Sequence, residues 1–167
     1  MLNTITRFLS GFALVMGMSH AAMADDAAKP LLTISGDIAL TSQDDVLALD
    51  LDALRALPET TIETSTIWTE GVNTFTGVTL ADLMDEVGVE DGTLIATAIN
   101  DYSVEIPVSD AVDGGPIIAY LMDGNEMRVR DKGPLWVIYP YDSNTDYRSE
   151  VIYSRSIWQL DGLEVVE

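Results

Sequence analysis

The chain has 167 residues, with no cysteine, one histidine and a formal net charge of −20. An acidic surface repels phosphate backbones, so the composition argues against a nucleic-acid partner. The missing thiols exclude disulfides, cysteine nucleophiles and thiolate metal sites, and 47% hydrophobic residues favour a single packed domain.

The first 24 residues are predicted to be a cleavable signal peptide. Arg7 precedes an apolar run over residues 8–18, and Ala22-Met23-Ala24 has the small-x-small pattern that signal peptidase cleaves. The apolar run has about 11 residues, whereas a spanning helix needs roughly 20. An uncleaved anchor is the alternative. We therefore expect one domain over residues 25–167, exported to a bacterial periplasm without membrane insertion.

Cleavage would also remove the single histidine, His20. Without imidazole or thiol, residues 25–167 cannot form a Ser–His triad, a Cys–His pair or a histidine zinc site. Carboxylates, lysine, tyrosine, hydroxyl groups or a bound cofactor are the remaining sources of catalysis.

Residues 128–155 differ from the rest of the domain in charge. They hold five basic and four acidic residues, whereas residues 25–127 hold two basic and 21 acidic ones. Six of the ten aromatic residues of the domain lie within 136–158. Reduced negative potential beside aromatic surface suits a planar ligand. The alternative to a ligand site is that strands near the centre of a sheet collect the aromatic residues and that the arginines pair with neighbouring acids.

The first half of the domain predicts three strands and two short helices. Alternation and β-branched residues predict strands over 31–38, 46–49 and 60–69. Asp50 is predicted to cap the first helix, which Pro58 ends. Thr79 is predicted to cap the second helix, which ends at Gly88.

The second half predicts a further series of strands, over 93–99, 102–107, 117–122, 127–130, 135–140 and 163–166. Asn100-Asp101 and Asp123-Gly124 are predicted turns. A short helix or turn is predicted from residue 109, and a short helix or strand over 151–160. Because strands predominate and strand–helix alternation is irregular, the predicted fold class is α+β, with mixed β-sheets and short helices.

Four segments carry a family resemblance: FTGVTLADL at 75–83, AINDYSVEIP at 98–107, RDKGPLWVIYP at 130–140 and SRSIWQL at 154–160. Together they resemble the oxidoreductase molybdopterin-binding domain in its short periplasmic form. The resemblance covers nearly all of residues 25–167, and its RDKGP segment is the most specific part. It implies the sulfite oxidase fold.

The chain departs from that family at the metal ligand. In catalytic members, a cysteine just before the Thr-Gly-Val segment ligates molybdenum; the corresponding stretch here is TSTIWT at 64–69. A threonine hydroxyl is a poor ligand at neutral pH, whereas a thiolate is a strong one. We therefore expect a pterin or molybdopterin-like ligand without a molybdenum–thiolate site. The departure favours a binding protein over an enzyme.

Short cysteine-free proteins of this kind are thought to bind free pterins in the periplasm and to signal to a membrane-embedded partner that makes or degrades cyclic di-GMP. The resemblance thus implies a non-catalytic sensory or adaptor protein that acts on the periplasmic domain of a membrane signalling protein. Two alternatives stay open. One is a molybdopterin-dependent oxidoreductase, or a subunit of one, without the protein thiolate. The other is an interaction scaffold without a ligand.

A pterin ring is flat, and its two polar edges need donors and acceptors as well as aromatic faces. The candidate ligand-binding residues are Trp68, Asn100, Asp101, Tyr102, Arg130, Asp131, Lys132 and Arg155. No catalytic residue and no metal ligand is predicted.

The uncharged and acidic candidates have structural alternatives. Trp68 either stacks on the ring or packs in the core. Asn100 and Asp101 either contact the amino edge of the ring or serve only the turn between two strands. Trp136, within an apolar strand, is predicted to be a core residue.

The charged candidates have alternatives as well. Arg130, Asp131 and Lys132 precede a glycine that allows close backbone approach to a ligand; the alternative is a loop ion pair between Arg130 and Asp131. Arg155 either faces the ligand or neutralises Glu150.

A possible calcium loop is not supported. Asp142, Asn144 and Asp146 have the spacing of the first three EF-hand ligands. Tyr147 stands where that loop needs glycine, and Tyr153 stands where it needs a bidentate glutamate. We therefore predict no calcium site.

Overall fold

A computed structural model describes residues 30–39 and 46–167. The predicted signal peptide lies outside the described residues. The strands are β1 (Leu32–Gly36), β2 (Val46–Leu49), β3 (Glu59–Ser65), β4 (Val72–Thr79), β5 (Thr93–Ala98), β6 (Ser103–Pro107), β7 (Ile117–Met122), β8 (Asn125–Glu126), β9 (Trp136–Ile138) and β10 (Leu160–Val166). The helices are α1 (Leu51–Ala56), α2 (Leu80–Val87) and α3 (Glu150–Arg155). In the described part of the chain, no helix is both long and apolar enough to cross a membrane.

The strands form two sheets, of which the first is mixed and the second is antiparallel. The first has the order β2-β1-β10-β5-β6, and its β1 and β10 are parallel. The second has the order β3-β4-β7-β8, and β9 also pairs with β7. Two sheets with few, short helices confirm the predicted α+β class.

The two predicted helix starts are confirmed, because each rests on a local capping bond. The Asp50 carboxylate accepts from the backbone N–H of Ala53 at 2.8 Å, and the Thr79 hydroxyl accepts from that of Asp82 at 2.9 Å. Such side chains satisfy backbone donors that the first helical turn leaves unpaired. Gly88 ends α2 in the left-handed conformation, with φ of 69°.

The apolar strand predicted over 135–140 lies in the core, as β9. Trp136, Val137 and Ile138 are all buried, as expected for a strand that is covered on both faces. The Trp136 indole N–H donates to the backbone carbonyl of Ser156 at 3.1 Å. The prediction of Trp136 as a core residue is confirmed.

The structure corrects two strand predictions. The strand predicted over 60–69 ends at Ser65, because the Thr66 hydroxyl accepts from the backbone N–H groups of Trp68 and Thr69 and turns the chain. The hairpin strand predicted over 127–130 is also wrong. Its strand is β8, and residues 129–131 form a 3₁₀ turn.

The strand β4 was not predicted, and Gly77 interrupts its pattern. It lies between β3 and β7. A Cβ at Gly77 would collide with the backbone of Ile118 and Ala119. Glycine therefore permits the close approach of β4 and β7 at the irregularity between Thr76 and Gly77.

Candidate functional site

A cleft of about 390 Å³ lies where three connections meet: the loop after β3, the β5–β6 turn and the segment from α3 to β10. We call it the aromatic cleft. Its main lining residues are Trp68, Asn100, Tyr102, Tyr153, Ser154 and Trp158. Three of the sequence-predicted residues, Trp68, Asn100 and Tyr102, are thus brought together. Whether they bind a ligand stays a prediction.

Trp68 is the centre of the aromatic cluster behind this cleft. Its ring centroid lies 5.7 Å from Trp158, 5.8 Å from Tyr153 and 5.8 Å from Trp136, all in edge-to-face arrangements. Such arrangements stabilise aromatic pairs beyond their burial. Trp68 is only partly buried against the core, so it both packs against the core and lines the cleft.

The β5–β6 turn presents polar groups to the cleft. The Asn100 side-chain carbonyl accepts from the backbone N–H of Tyr102 at 3.3 Å, which fixes the amide while leaving its NH₂ group open. Among the described residues, neither this NH₂ group nor the hydroxyls of Tyr102 and Tyr153 have a hydrogen-bond partner. Asp101 sits at the tip of the turn with φ of 64°; it is exposed and does not line the cleft.

The helix α3 forms one wall of the aromatic cleft, and Asp110 holds it in place. The Asp110 carboxylate accepts from an Arg155 guanidinium N–H at 2.9 Å and from the Tyr139 hydroxyl at 2.7 Å. Burial, and then the bond to Asp110, raise the pKa of Tyr139. Arg155 lies outside the lining of the aromatic cleft. Its partner is Asp110 rather than Glu150, so the alternative pairing suggested from the sequence is wrong.

Tyr141 ties α3 to the same core. Its hydroxyl donates to the Ser156 hydroxyl at 2.6 Å, and that hydroxyl donates to the Ile152 carbonyl at 2.8 Å. Burial raises the pKa of Tyr141 to about 12. The end of α3 and the segment that carries Trp158 are therefore held by buried hydrogen bonds.

The ion pairs of the charged loop at 128–132 form between residues of the loop itself. Arg128 donates to the Asp131 carboxylate at 2.8 Å, and Arg130 lies 3.6 Å from the same oxygen. The bond from Arg128 holds the pKa of Asp131 below its usual range. The ion pair between Arg130 and Asp131 is confirmed, but Arg128 is the nearer partner. Neither Arg130 nor Asp131 lines the aromatic cleft.

Lys132 follows this loop in the left-handed conformation, with φ of 72°. Its ammonium lies 5.5 Å from the ring centroid of Trp136 and 5.9 Å from that of Trp158. These distances are typical of cation–π contacts. Lys132 therefore borders the cleft through Trp158, although it is not itself among the lining residues.

Sequence reasoning missed Tyr153 and Trp158 as cleft residues. Both lie in the aromatic-rich stretch 136–158, which was the signal that could have identified them. It also missed Asp142 as a structural residue. The Asp142 carboxylate accepts from the Ser65 backbone N–H at 2.6 Å and from the Ser65 hydroxyl at 2.8 Å. These bonds, with help from Arg148, lower the pKa of Asp142.

A second depression, of about 430 Å³, lies beside α1. Its lining includes the carboxylates of Asp50, Asp52 and Glu126. Its aromatic residue, Tyr120, is buried and has Arg55 over its ring at 5.6 Å. This depression offers no open aromatic face, so the aromatic cleft is the better site for a planar ligand.

The chain belongs to the oxidoreductase molybdopterin binding domain family, whose model matches residues 20–143. Among solved structures, it is similar to the sulfane dehydrogenase SoxCD from Paracoccus pantotrophus, with a TM-score of 0.60 and 18% sequence identity. The match covers 80% of this chain but 37% of that chain, and at this identity it shows the fold alone. A comparison with curated proteins finds no matching relative.

Residues 64–69, which correspond by resemblance to the family's metal-ligand segment, do not fit a metal. The 167 residues contain no cysteine, and the hydroxyls of the corresponding segment already have partners. The Thr64 hydroxyl donates to the Ser65 carbonyl and accepts from the Asp142 backbone N–H, while the Thr66 hydroxyl caps its own turn. Within residues 30–39 and 46–167, no cluster of three or more acidic, histidine or cysteine side chains could hold a metal.

Proposed function

We propose that the chain is a non-catalytic binding protein that takes a free pterin into the aromatic cleft. The observation that carries the proposal is the pair of indoles at the mouth. Trp68 and Trp158 line the same cleft, with ring centroids 5.7 Å apart and planes at 74°. A flat heterocycle that stacks on one indole face would meet the edge of the other, which is a favourable aromatic arrangement.

The polar groups of the cleft suit the edges of the ring. The Asn100 NH₂ group can donate to the carbonyl edge of a pterin, and the Tyr102 and Tyr153 hydroxyls can donate or accept. Asp101, although next to Asn100, is exposed and does not line the cleft, so it is not part of the proposed site. A few convergent polar groups on aromatic walls are typical of small-molecule sites.

The proposal extends to export and to a protein partner. The signal-peptide pattern in residues 1–24 supports a periplasmic location. Exposed apolar side chains, Ile67 and Ile99, neighbour the lining residues Trp68 and Asn100 in sequence. Such side chains beside a ligand site are suited to a partner that senses whether the cleft is filled. The proposed partner is the periplasmic domain of a membrane signalling protein.

A second candidate function follows from family membership: an oxidoreductase, or a subunit of one, that holds a molybdopterin without a protein thiolate. Elemental analysis separates the two candidates. Protein purified from a host that makes the cofactor should contain no stoichiometric molybdenum. One molybdenum per chain would overturn the non-catalytic proposal.

Equilibrium dialysis of the intact protein with 6-hydroxymethylpterin tests the binding. Trp68→Ala should raise Kd about tenfold or more, because stacking of a ring on an aromatic side chain contributes about 1–3 kcal/mol. Ile67→Ala is the matched control, since Ile67 is adjacent and 61% exposed. Tyr102→Ala, at a side chain that is 57% exposed, gives the same test with little risk to folding. Equal binding by all four proteins, or no binding by the unmodified chain, would refute the proposal.

A further inference from the structure

The basic side chains of this acidic protein are almost all paired. The described residues include six lysines and arginines. Five of them, Arg55, Arg128, Arg130, Arg148 and Arg155, lie within 4.0 Å of a carboxylate. In the described part of the chain, Lys132 is the one cationic side chain without a carboxylate partner. In a chain with a net charge of −20, that isolation requires an explanation.

The backbone fixes Lys132 at the border of the aromatic cleft. Its carbonyl accepts from the backbone N–H of Gln159 at 3.1 Å, next to the cleft residue Trp158. The side-chain NH₂ group of Gln159 donates to the Val129 carbonyl at 2.6 Å. The following residue, Gly133, lies so close to the Met127 carbonyl that a Cβ would collide with it. The loop is therefore fastened to the segment that supplies one wall of the cleft.

The ammonium group is held by rings rather than by charges. It lies beside the indoles of Trp136 and Trp158, at 5.5 and 5.9 Å from their centroids, and cation–π contact leaves its N–H donors without an acceptor. Among the described residues, no side chain accepts a hydrogen bond from it. A lysine ammonium on a flexible stem can turn toward an anion that arrives beside it.

We propose that Lys132 is a specificity-determining residue that makes the aromatic cleft prefer pterins with an anionic ring substituent, such as a carboxylate, over neutral pterins. The inference rests on the proposed function. The negative charge of the whole chain disfavours anions, so a preference for them needs a local cation that is not already neutralised. Arg155 does not meet this condition, because Asp110 pairs with it. Arg128 and Arg130 share the carboxylate of Asp131, and neither of them lines the cleft or contacts its aromatic rings.

The test compares pterin-6-carboxylate with the neutral 6-hydroxymethylpterin by equilibrium dialysis at pH 7. The unmodified chain should bind the carboxylate about tenfold more tightly, and Lys132→Met should lose that preference while Kd for the neutral pterin changes little. The preference should also fall as ionic strength rises, because salt screens exposed charges. Lys132→Arg should retain most of it.

Arg130→Met is the matched control, since it removes the same charge from the same loop at a residue that already has a carboxylate partner. It should leave the preference unchanged. Equal affinity of the unmodified chain for both pterins would overturn the inference but leave the proposed function standing. A loss of preference as large in Arg130→Met as in Lys132→Met would also overturn it. If neither pterin binds, both the proposed function and this inference fail.

Discussion

The contacts of Asp110 with Arg155 and Tyr139 offer a direct test of what holds α3, one wall of the aromatic cleft, in place. Asp110 accepts from Arg155 at 2.9 Å and from the Tyr139 hydroxyl at 2.7 Å. These residues come from three separate parts of the chain. Asp110→Asn keeps the size of the side chain and one oxygen acceptor but removes the charge that pairs with Arg155. We expect the substitution to lower the free energy of unfolding.

The magnitude follows from burial. The side chains of Arg155 and Asp110 are 23% and 17% exposed, so water screens the pair only partly. Removing one partner of a buried pair costs about 3–5 kcal/mol, and a hydrogen bond to a charged group contributes about 1.5–3 kcal/mol. Since Asn keeps the bond from Tyr139, we expect a loss of about 3 kcal/mol. For a domain of this size, that corresponds to a fall in Tm of roughly 6–12 °C.

Urea unfolding and thermal melting of the intact chain measure the effect. Asp113→Asn is the control, because Asp113 is exposed and, among the described residues, has no hydrogen-bond or ion-pair partner. Tyr139→Phe should cost less than Asp110→Asn, because it removes one hydrogen bond and leaves the ion pair intact. Because α3 carries Tyr153 and Ser154, Asp110→Asn should also weaken pterin binding under conditions in which the variant is folded.

Two outcomes would contradict the proposed role of Asp110. If Asp110→Asn and Asp113→Asn melt at the same temperature, the Asp110 carboxylate does not stabilise the fold. If Asp110→Asn is unstable but binds pterin as tightly as the unmodified chain, α3 does not need this anchor to form the cleft wall.

Two further predictions concern the fold. Burial raises the pKa of Tyr141 to about 12, above the value of about 10 in an unfolded chain, so its contribution is present below pH 10 and falls between pH 10 and 12 by up to about 2.7 kcal/mol. Tyr141→Phe should flatten that part of a stability-versus-pH curve. The contributions of Tyr120 and Tyr139 remain, because burial also raises the pKa of Tyr120, to about 12, and that of Tyr139. An unchanged slope would contradict the prediction. Gly77→Ala should lower the urea midpoint by an amount equivalent to about 3 kcal/mol, because backbone atoms of β7 occupy the place of the new Cβ. Gly162→Ala is its control, since a Cβ there meets only Thr97 at an ordinary 3.8 Å, and equal midpoints would count against the close approach.

Features of the fold that depend on residues close together in sequence could be predicted from the sequence. The caps of Asp50 and Thr79 involve a donor three residues away, so composition near each helix start was sufficient. The turn at Asn100-Asp101 is equally local. The strand β4 could not be predicted in this way, because its stability comes from β3 and β7 on either side. Its Gly77 weakens the strand pattern that the partner strands require.

The candidate site was only partly predictable for the same reason. Trp68, Asn100 and Tyr102 were identified from family resemblance and residue chemistry, and all three line the cleft. The partner of Arg155 was not identified, since Asp110 is 45 residues away. The pair between Arg155 and Asp110 forms because α3 packs beside β6, and the order of residues along the chain does not reveal that packing.

The segment at 64–69 shows how packing also limits function. In this chain its hydroxyls are occupied: Ser65 by Asp142, and Thr66 by its own turn. Asp142 in turn pairs with Arg148, so the acid that suggested a calcium ligand instead fastens this segment to the loop after β9. The segment that corresponds, by family resemblance, to a metal-ligand segment is held here by hydrogen bonds to Asp142 and within its own turn, and it presents Trp68 to the cleft. An aromatic face in that position suits a ring that is bound by stacking rather than by coordination.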